Sequence, residues 1–427
     1  MTAAVLFGVL VLMLFLGIPV AFAIGVSTVS AMFVQGLPLV SLAQKVLTGI
    51  DSFPLMALPF FLLAAELMTG GSLSLVLLRL ATILVGNRRG GLGYANILTI
   101  TFSSGISGSA LADAAGPGAI MIRMMAKSGY PPAYAAALTA ATSVVGPIIP
   151  PSIIMIIYAL QDPAVSVLSL FLAGILPGIL ISASMLLYNF WASHQRDFRN
   201  SGESASMKMA LDAIARALPA LALPVLIIGG IHSGAFTPTE ASVVAVFYAI
   251  LVGKFVYGTL QWKMLPDILA RAAFMTAALL LIITVSTAFA WVLNIAQVPQ
   301  VLTAWIGTLG LGPIAFLVAI NVFLLIFGIF IEPLPGVLIL VPILAPMAAA
   351  LGIDATHFAI VVIVNLTLGM ITPPVGTLLF VTGMVAKVTP SQLNREIWPI
   401  LAIQIVVLAV ITLFPQISLL LPQMMRG

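Results

Sequence analysis

Long apolar stretches separated by short polar turns run along almost the whole chain. They cover residues 4–34, 54–69, 72–86, 91–122, 133–160, 165–192, 217–233, 239–258, 273–297, 302–331, 336–352, 356–386 and 398–421. Blocks such as Ile403 to Leu413 show none of the apolar-polar alternation that a membrane β-barrel requires. The pattern therefore predicts an all-α protein, and the first run, from Ala4 to Phe33, predicts a membrane helix that is retained in the mature chain.

Composition places these helices in a lipid bilayer. Of the 427 residues, 62% are hydrophobic and 7% are charged, whereas soluble domains are roughly 45–50% apolar and about 25% charged. At about 20 residues per span, the apolar stretches could supply on the order of a dozen segments of a polytopic membrane protein. This excludes cytosolic enzymes, nucleic-acid binders and disordered scaffolds, and it favours a transporter or a channel.

Basic residues mark the loops that are expected on the cytoplasmic side. The turn Asn87–Gly91 contains two arginines, and the hydrophilic segment 194–216 contains four Lys and Arg residues. Such loops are biased to the cytoplasm. The segment 194–216 is therefore predicted to be a cytoplasmic linker between a first unit, residues 1–193, and a second unit, residues 217–427.

Two amphipathic pieces are expected to lie along the membrane interface. One is Val40–Asp51, and the other is Trp262–Phe274, in which Lys263, Asp267 and Arg271 share one helical face.

The two units resemble one another where their helices break. The run Gly146–Ser152 reads GPIIPPS and matches Gly369–Val375, which reads GMITPPV, at an offset of 223 residues. The same offset carries Gly105 onto Gly328 and Ser109 onto Glu332. Corresponding helices that are interrupted by Gly and Pro are a sequence indicator of a transporter site near the bilayer midplane.

The interruptions also predict the chemistry of that site. Consecutive prolines leave carbonyl oxygens without intrahelical partners; together with Ser, Thr and Asn oxygens they suit Na+, whereas half-helix N-termini suit a carboxylate. The predicted Na+ ligands are Ser103, Ser107, Gly108, Thr142, Gly146, Gly328, Gly336, Asn365, Gly369 and Thr372. The predicted substrate contacts are Ser104, Ser109, Asp113, Pro150, Glu332 and Pro373.

Acidic residues in apolar surroundings are functional candidates by default, because an ionised side chain at the bilayer centre costs at least about 2.5–3.5 kcal/mol. Asp113, Glu332 and Glu66 meet this description. The structural alternatives are that Asp113 caps a half-helix and that Glu332 pairs with a distant arginine or lies at the surface.

Two other classes of membrane protein fit parts of the pattern. Gly105-Ile106-Ser107-Gly108 matches the Gly-x-Ser-Gly motif of rhomboid-type intramembrane proteases, but a serine nucleophile needs a base within hydrogen-bond reach. The histidines are poorly placed for this, because His194 lies in the hydrophilic linker, His232 precedes a Gly-containing turn and His357 follows Asp354 at a helix start. A channel also uses broken helices, but its filter usually forms between subunits. No nucleotide-binding phosphate loop occurs, so an ion gradient is the expected energy source.

Several longer motifs resemble the large membrane subunit of tripartite ATP-independent periplasmic (TRAP) transporters. They are Phe102–Asp113, Ala135–Ala141, Gly146–Ser152 and Gly234–Ala241, and they occur in the order of the family. The resemblance extends over essentially the whole chain.

The resemblance implies Na+-driven import of an organic acid across the bacterial inner membrane, with a separate small four-helix membrane subunit and a periplasmic substrate-binding protein as partners. Sialic acid is the favoured substrate, followed by a C4-dicarboxylate or another sugar acid; a stand-alone Na+-coupled carboxylate carrier is the alternative. It also implies inverted repeats and an elevator architecture, in which hairpin tips at Ser103–Ser109 and Ile331–Gly336 and unwound stretches at Gly146–Ser152 and Gly369–Gly376 belong to a mobile transport domain.

Overall fold

The computed structural model describes residues 1–70, 73–196, 198, 206–308 and 310–425, and within these ranges every regular element is a helix. The helices of the first half are α1 Thr2–Phe15, α2 Val20–Gln35, α3 Leu39–Ile50, α4 Ala57–Gly70, α5 Leu73–Val85, α6 Gly91–Ser107, α7 Ala110–Asp113, α8 Ala119–Lys127, α9 Pro132–Ser143, α10 Ile153–Gln161 and α11 Val167–Gln195. Those of the second half are α12 Met207–His232, α13 Pro238–Leu251, α14 Leu265–Ile295, α15 Val298–Thr308, α16 Pro313–Gly328, α17 Pro333–Ala350, α18 Ala355–Gly369, α19 Thr377–Ala386, α20 Pro390–Leu413 and α21 Gln416–Met424. The predicted all-α membrane class is confirmed.

Fewer helices than apolar stretches are long enough to cross a bilayer. Within the described residues, 6 helices qualify by length and composition, and a seventh span results if α3 and Phe53–Thr69, which includes most of α4 and meets α3 at 59°, are taken together. The remaining apolar helices are shorter than the roughly 20 residues that a span needs. Several of them are the arms of hairpins or the halves of broken helices.

The helix bounds repeat at the offset of 223 residues that the sequence motifs show. The return arm of the first hairpin, residues 110–127, corresponds to α17, Pro333–Ala350. The break between α9 and α10 likewise corresponds to the break between α18 and α19, and α11 corresponds to α20. The two return arms differ in one respect, because the first contains a π-helical turn at Ala114–Gly118 around Pro117 whereas α17 is continuous.

Elements of the two halves pack into one another around two buried helices. Every residue from Tyr134 to Ser143 in α9 and from Thr356 to Gly369 in α18 is buried, as expected of helices that are apolar on all sides. α9 packs against α19 and α20, α10 packs against α17, and α11 packs against α18 and α21. The core is therefore shared between the halves.

The end of α11 is also joined to the second half by a cluster of polar and aromatic contacts. The guanidinium of Arg196 lies 2.8 Å from Glu396 of α20 and 5.1 Å from the centre of the Tyr134 ring. Phe198, which is buried, stacks 4.4 Å from Tyr130 and 5.1 Å from Tyr134.

The prediction of one membrane helix from Ala4 to Phe33 is wrong. The chain forms two helices, α1 and α2, which pack against each other. Gly17 adopts a left-handed conformation with φ of 75°, and Pro19 follows at the N-terminus of α2. A proline cannot donate the amide that would continue the first helix, so the chain breaks here.

Two further predictions are corrected. The predicted linker 194–216 is partly helical, because His194 belongs to α11 and α12 begins at Met207, where the Ser206 hydroxyl caps it; residues 197 and 199–205 lie outside the described residues. The segment Trp262–Phe274 is not a separate interfacial helix. It leads directly into the long helix α14, because no glycine or proline follows Pro266 before Ile295.

The other predicted interfacial piece, Val40–Asp51, forms α3, which buries none of its residues completely and packs against α14.

The sequence left open whether 54–69 and 72–86 are one kinked helix or two. α4 and α5 have different neighbours, α13 and α14 for the former and α6 and α12 for the latter. The connecting residues 71 and 72 lie outside the described residues.

Candidate substrate and cation site

The first hairpin turns at Gly108, between α6 and α7. Gly108 has a left-handed backbone with φ of 59°, and a Cβ atom there would lie 2.6 Å from the carbonyl oxygen of Pro151. The hydroxyl of Ser109 then accepts a hydrogen bond from the amide of Ala112 at 3.4 Å and starts the return arm. The hairpin tip therefore rests directly on the unwound stretch between α9 and α10, and only glycine allows this approach.

A buried carboxylate holds the two arms of this hairpin together. Oδ1 of Asp113 accepts hydrogen bonds from the hydroxyls of Ser103 and Ser107, both at 2.8 Å, and Oδ2 accepts one from Ser104 at 2.9 Å. The Asp113 side chain is fully buried. Within the described residues its hydrogen-bond donors are these three neutral hydroxyls, which stabilise the carboxylate without compensating its charge.

The unwound stretch after α9 presses against the same cluster. A Cβ atom on Gly146 would lie 2.9 Å from Oδ2 of Asp113 and 2.9 Å from the amide nitrogen of Ala110. The hydroxyl of Thr142 donates within its own helix, to the carbonyl of Leu138 at 2.8 Å. The Gly146 backbone therefore approaches the carboxylate directly, whereas the Thr142 hydroxyl is hydrogen-bonded within α9.

In the second half, hairpin and broken helix meet through two glycines. A Cβ atom on Gly369 would lie 2.5 Å from both Cα and the carbonyl carbon of Gly328. Gly336, at the start of the return arm, approaches the side chain of Leu366, since a Cβ there would lie 3.1 Å from it. The second hairpin is therefore held against the end of α18 by direct backbone contact.

A polar chain lies beside this contact. The Asn365 amide nitrogen donates to the backbone oxygen and to Oδ1 of Asn321, at 2.9 and 2.8 Å, and the Asn321 amide donates to the Thr412 hydroxyl at 2.8 Å. Oδ1 of Asn365 is buried and has no hydrogen-bond partner. Buried carbonyl oxygens are rarely left unpaired, so this atom is a suitable cation ligand. Thr372 instead donates to the carbonyl of Leu368 at 2.9 Å.

A cavity of about 300 Å³ lies between the two hairpin tips. One wall is formed by the tips, with Ser107, Gly108 and Ser109 from the first and Glu332 from the second; Pro147 and Met370 of the unwound stretches also contribute. The opposite wall is formed by α4 and by Phe274–Leu279 of α14. The cavity therefore lies where the four predicted segments face two other helices.

The α4 wall carries Glu66, which is ion-paired with Arg271 of α14 at 2.9 Å. This pairing supplies the structural explanation for the acidic residue in an apolar stretch. Glu332, by contrast, lines the cavity, and no ion pair of the described residues includes it.

Twelve of the sixteen predicted site residues fall into three groups, which exclude Thr142, Thr372, Pro150 and Pro373. Those on the cavity wall are Ser107, Gly108, Ser109 and Glu332; those in the carboxylate cluster beneath it are Ser103, Ser104, Asp113 and Gly146; and those at the second hairpin junction are Gly328, Gly336, Asn365 and Gly369. Pro150 and Pro373 occupy the unwound stretches but do not line the cavity. Asn321 was missed by the sequence analysis, although an asparagine within an apolar stretch could have indicated it.

The protease interpretation lacks a histidine base. The Ser107 hydroxyl donates to Asp113, and no histidine is among the described residues that line the cavity. His194 contacts the carbonyl of Phe190, and His357 contacts Ser418 and the carbonyl of Thr412.

Comparison with known proteins agrees with the resemblance noted in the sequence. Residues 7–417 match the family described as "Tripartite ATP-independent periplasmic transporter, DctM component". The chain is 38% identical to the sialic acid TRAP transporter large permease protein SiaM of Vibrio cholerae, over 97% of each chain. It is 35% identical to the C4-dicarboxylate TRAP transporter large permease protein DctM of Rhodobacter capsulatus, over 100% of each chain; both are named as permeases, not as enzymes.

A solved structure shares the fold at low sequence identity. The YdaH transporter of Alcanivorax borkumensis superimposes with a TM-score of 0.62 at 14% identity, covering 88% of each chain. The family match covers nearly the whole multi-pass chain, and the relatives do so at more than 30% identity. The chain therefore belongs to the DctM family, the large permease component of the tripartite ATP-independent periplasmic transporters.

Proposed function

We propose that this permease imports an organic acid across the bacterial inner membrane in symport with Na+, receiving it from a periplasmic substrate-binding protein and working with a small membrane subunit. Relatives of the chain are named for sialic acid, C4-dicarboxylates and 2,3-diketo-L-gulonate. All of these are carboxylates. Sialic acid is the first candidate and a C4-dicarboxylate or other sugar acid is the next.

The observation that carries the Na+ part of the proposal is the buried Asp113 carboxylate, whose donors are neutral hydroxyls. A buried charge without a counter-charge costs several kcal/mol, and a bound cation would remove this cost. The unpaired Oδ1 of Asn365 offers a second ligand of the hard-oxygen type. Asp113 with the Gly146 backbone would hold one Na+, whose charge would offset that of the buried carboxylate. Asn365 with the Gly328–Gly369 backbone would hold another, which would give the unpaired Oδ1 of Asn365 a partner.

The cavity between the hairpin tips suits the substrate. Its volume of about 300 Å³ lies at the lower end of the range of small-molecule sites, roughly 300–1,000 Å³. Ser109 offers a hydroxyl on its wall, whereas the Ser107 hydroxyl donates to Asp113. Because Glu332 on the same wall would repel an anion, bound Na+ would also lower the electrostatic cost of binding the acid, and this couples the two solutes.

The position of the cavity supports an elevator mechanism. It lies at the boundary between the hairpins with their broken helices and the helices α4 and α14. Movement of the former group against the latter would carry the cavity from one side of the membrane to the other. α4 and α14 would then belong to the scaffold.

The experiment that tests the proposal is uptake of labelled organic acids into liposomes that contain the permease and its small subunit. We expect uptake when Na+ and the loaded binding protein are both present, and none when choline replaces Na+. Full uptake driven by a proton gradient alone would contradict Na+ coupling.

The same assay separates the alternatives. Flux that saturates with the concentration of binding protein supports the tripartite function. Vigorous Na+-dependent flux of free substrate would instead support a stand-alone carrier, and current without Na+ or binding protein would indicate a channel.

A further inference from the structure

A second cavity, of about 510 Å³, lies away from the hairpin tips, between α5, α6 and α11. It opens where α5 ends and α11 ends, beside the turn that precedes α6. The transport cycle described above makes no use of it.

Basic side chains line the rim of this cavity. Arg88 and Arg89 line it from the turn, and His194 lines it from the end of α11. Arg88 is exposed, and no carboxylate occurs among the described residues that line the cavity. Such a rim attracts an anionic group.

The wall below the rim is apolar. It includes Leu84, Leu98 and Phe190, of which Leu84 is 41% and Phe190 is 56% exposed. The ring of Phe190 stacks 4.4 Å from the ring of His194, so apolar wall and polar rim are adjacent on one helix. A free anion would use only the rim, whereas an amphiphile with an anionic head would use both.

We propose that this cavity binds an anionic phospholipid, with the phosphate at Arg88 and His194 and an acyl chain against Leu84, Leu98 and Phe190. The arginine-rich turn is on the side that the positive-inside rule assigns to the cytoplasm, where anionic headgroups attract basic residues. Basic pockets between membrane helices on that side are known sites for such headgroups. The lipid would bridge the first hairpin, through α6, to α5 and α11.

The test is lipid retention by the permease with its small subunit, purified from vesicles of equal parts phosphatidylglycerol and phosphatidylcholine and measured by native mass spectrometry. We expect retained phosphatidylglycerol, and about a fivefold weaker affinity in Arg88→Gln, since one basic side chain near the surface contributes about 1 kcal/mol. Arg88→Lys should keep most of the affinity. The matched control is Lys127→Gln, which removes an exposed cation at the end of α8 that does not line the cavity.

Four results would overturn the proposal. Equal retention of phosphatidylglycerol and phosphatidylcholine would show that the cavity does not select lipids by the charge of the headgroup. Displacement of the bound lipid by inorganic phosphate would show a plain anion site. Loss of the small subunit in Arg88→Gln would show that this face contacts the other protein. An equal loss of phosphatidylglycerol affinity in Lys127→Gln would show a non-specific effect of charge.

Discussion

Replacing Gly369 by alanine tests whether the direct contact between the second hairpin and the broken helix α18 is needed for transport. The new Cβ would lie 2.5 Å from Cα and from the carbonyl carbon of Gly328, and 2.6 Å from its oxygen. Carbon atoms in contact are normally about 3.5–4.0 Å apart, so the backbones must separate by about 1 Å. No flexible side chain can absorb this shift, because all three atoms belong to the main chain.

Overpacking of this kind costs typically about 1–3 kcal/mol. If this free energy destabilises only the Na+-bound form, the Na+ concentration for half-maximal uptake rises by roughly 5- to 150-fold. The assay is binding-protein-dependent uptake over a range of Na+ concentrations, together with the melting temperature at low and saturating Na+.

The controls are Gly229→Ala in α12 and Gly307→Ala in α15, because a Cβ atom at either position meets nothing within 4 Å. Both should transport like the unmodified protein. Wild-type Na+ dependence in Gly369→Ala would refute the inference that this contact forms part of the cation site. Equal damage in the controls would refute the steric explanation.

Three other substitutions test the two junctions. Asp113→Asn removes the charge but keeps an oxygen that can accept hydrogen bonds from Ser103 and Ser107, so the protein should fold. We expect at least about a tenfold rise in the Na+ concentration for half-maximal uptake. Unchanged Na+ dependence would show that Asp113 is not part of the cation site. Asn365→Ala removes the unpaired oxygen. It should raise the Na+ concentration for half-maximal uptake several-fold at normal expression, as measured by the same titration. Ser107→Ala deletes one of three hydrogen bonds to Asp113, about 1.5–3 kcal/mol for a charged acceptor, and should lower thermal stability and Na+ affinity together; a change in neither would mean that the cluster is misassigned.

The positions of the hairpins and broken helices could be predicted from sequence because their causes are local. Pro150 and Pro151 exclude a continuous helix between α9 and α10 whatever surrounds them, and Gly108 allows a turn that other residues disfavour. The repeat added a second, independent copy of the same signals. The all-α class followed from long apolar blocks that show no alternation of apolar and polar residues.

The pairings within the site could not be predicted, because they join residues that are distant in sequence. Glu66 meets Arg271 across 205 residues, and a lone acidic residue in an apolar stretch does not name its partner. Asn321 and Asn365 meet across 44 residues, and only the packing of α16 on α18 brings them together. The split of the run Ala4–Phe33 was missed for another reason, since Gly17 and Pro19 are too few to interrupt a hydropathy pattern.

The interlocking of the two halves has a consequence for the order of events during synthesis. α9 of the first half finds its neighbours α19 and α20 only after the ribosome has added more than 200 further residues. At about 5–20 residues per second, roughly 10–45 s pass between the synthesis of the first half and that of α19. During this time the first hairpin lacks its contacts with α19. The serine hydroxyls that donate to Asp113 belong to the same hairpin, so these hydrogen bonds can form and stabilise the carboxylate before the second half is synthesised.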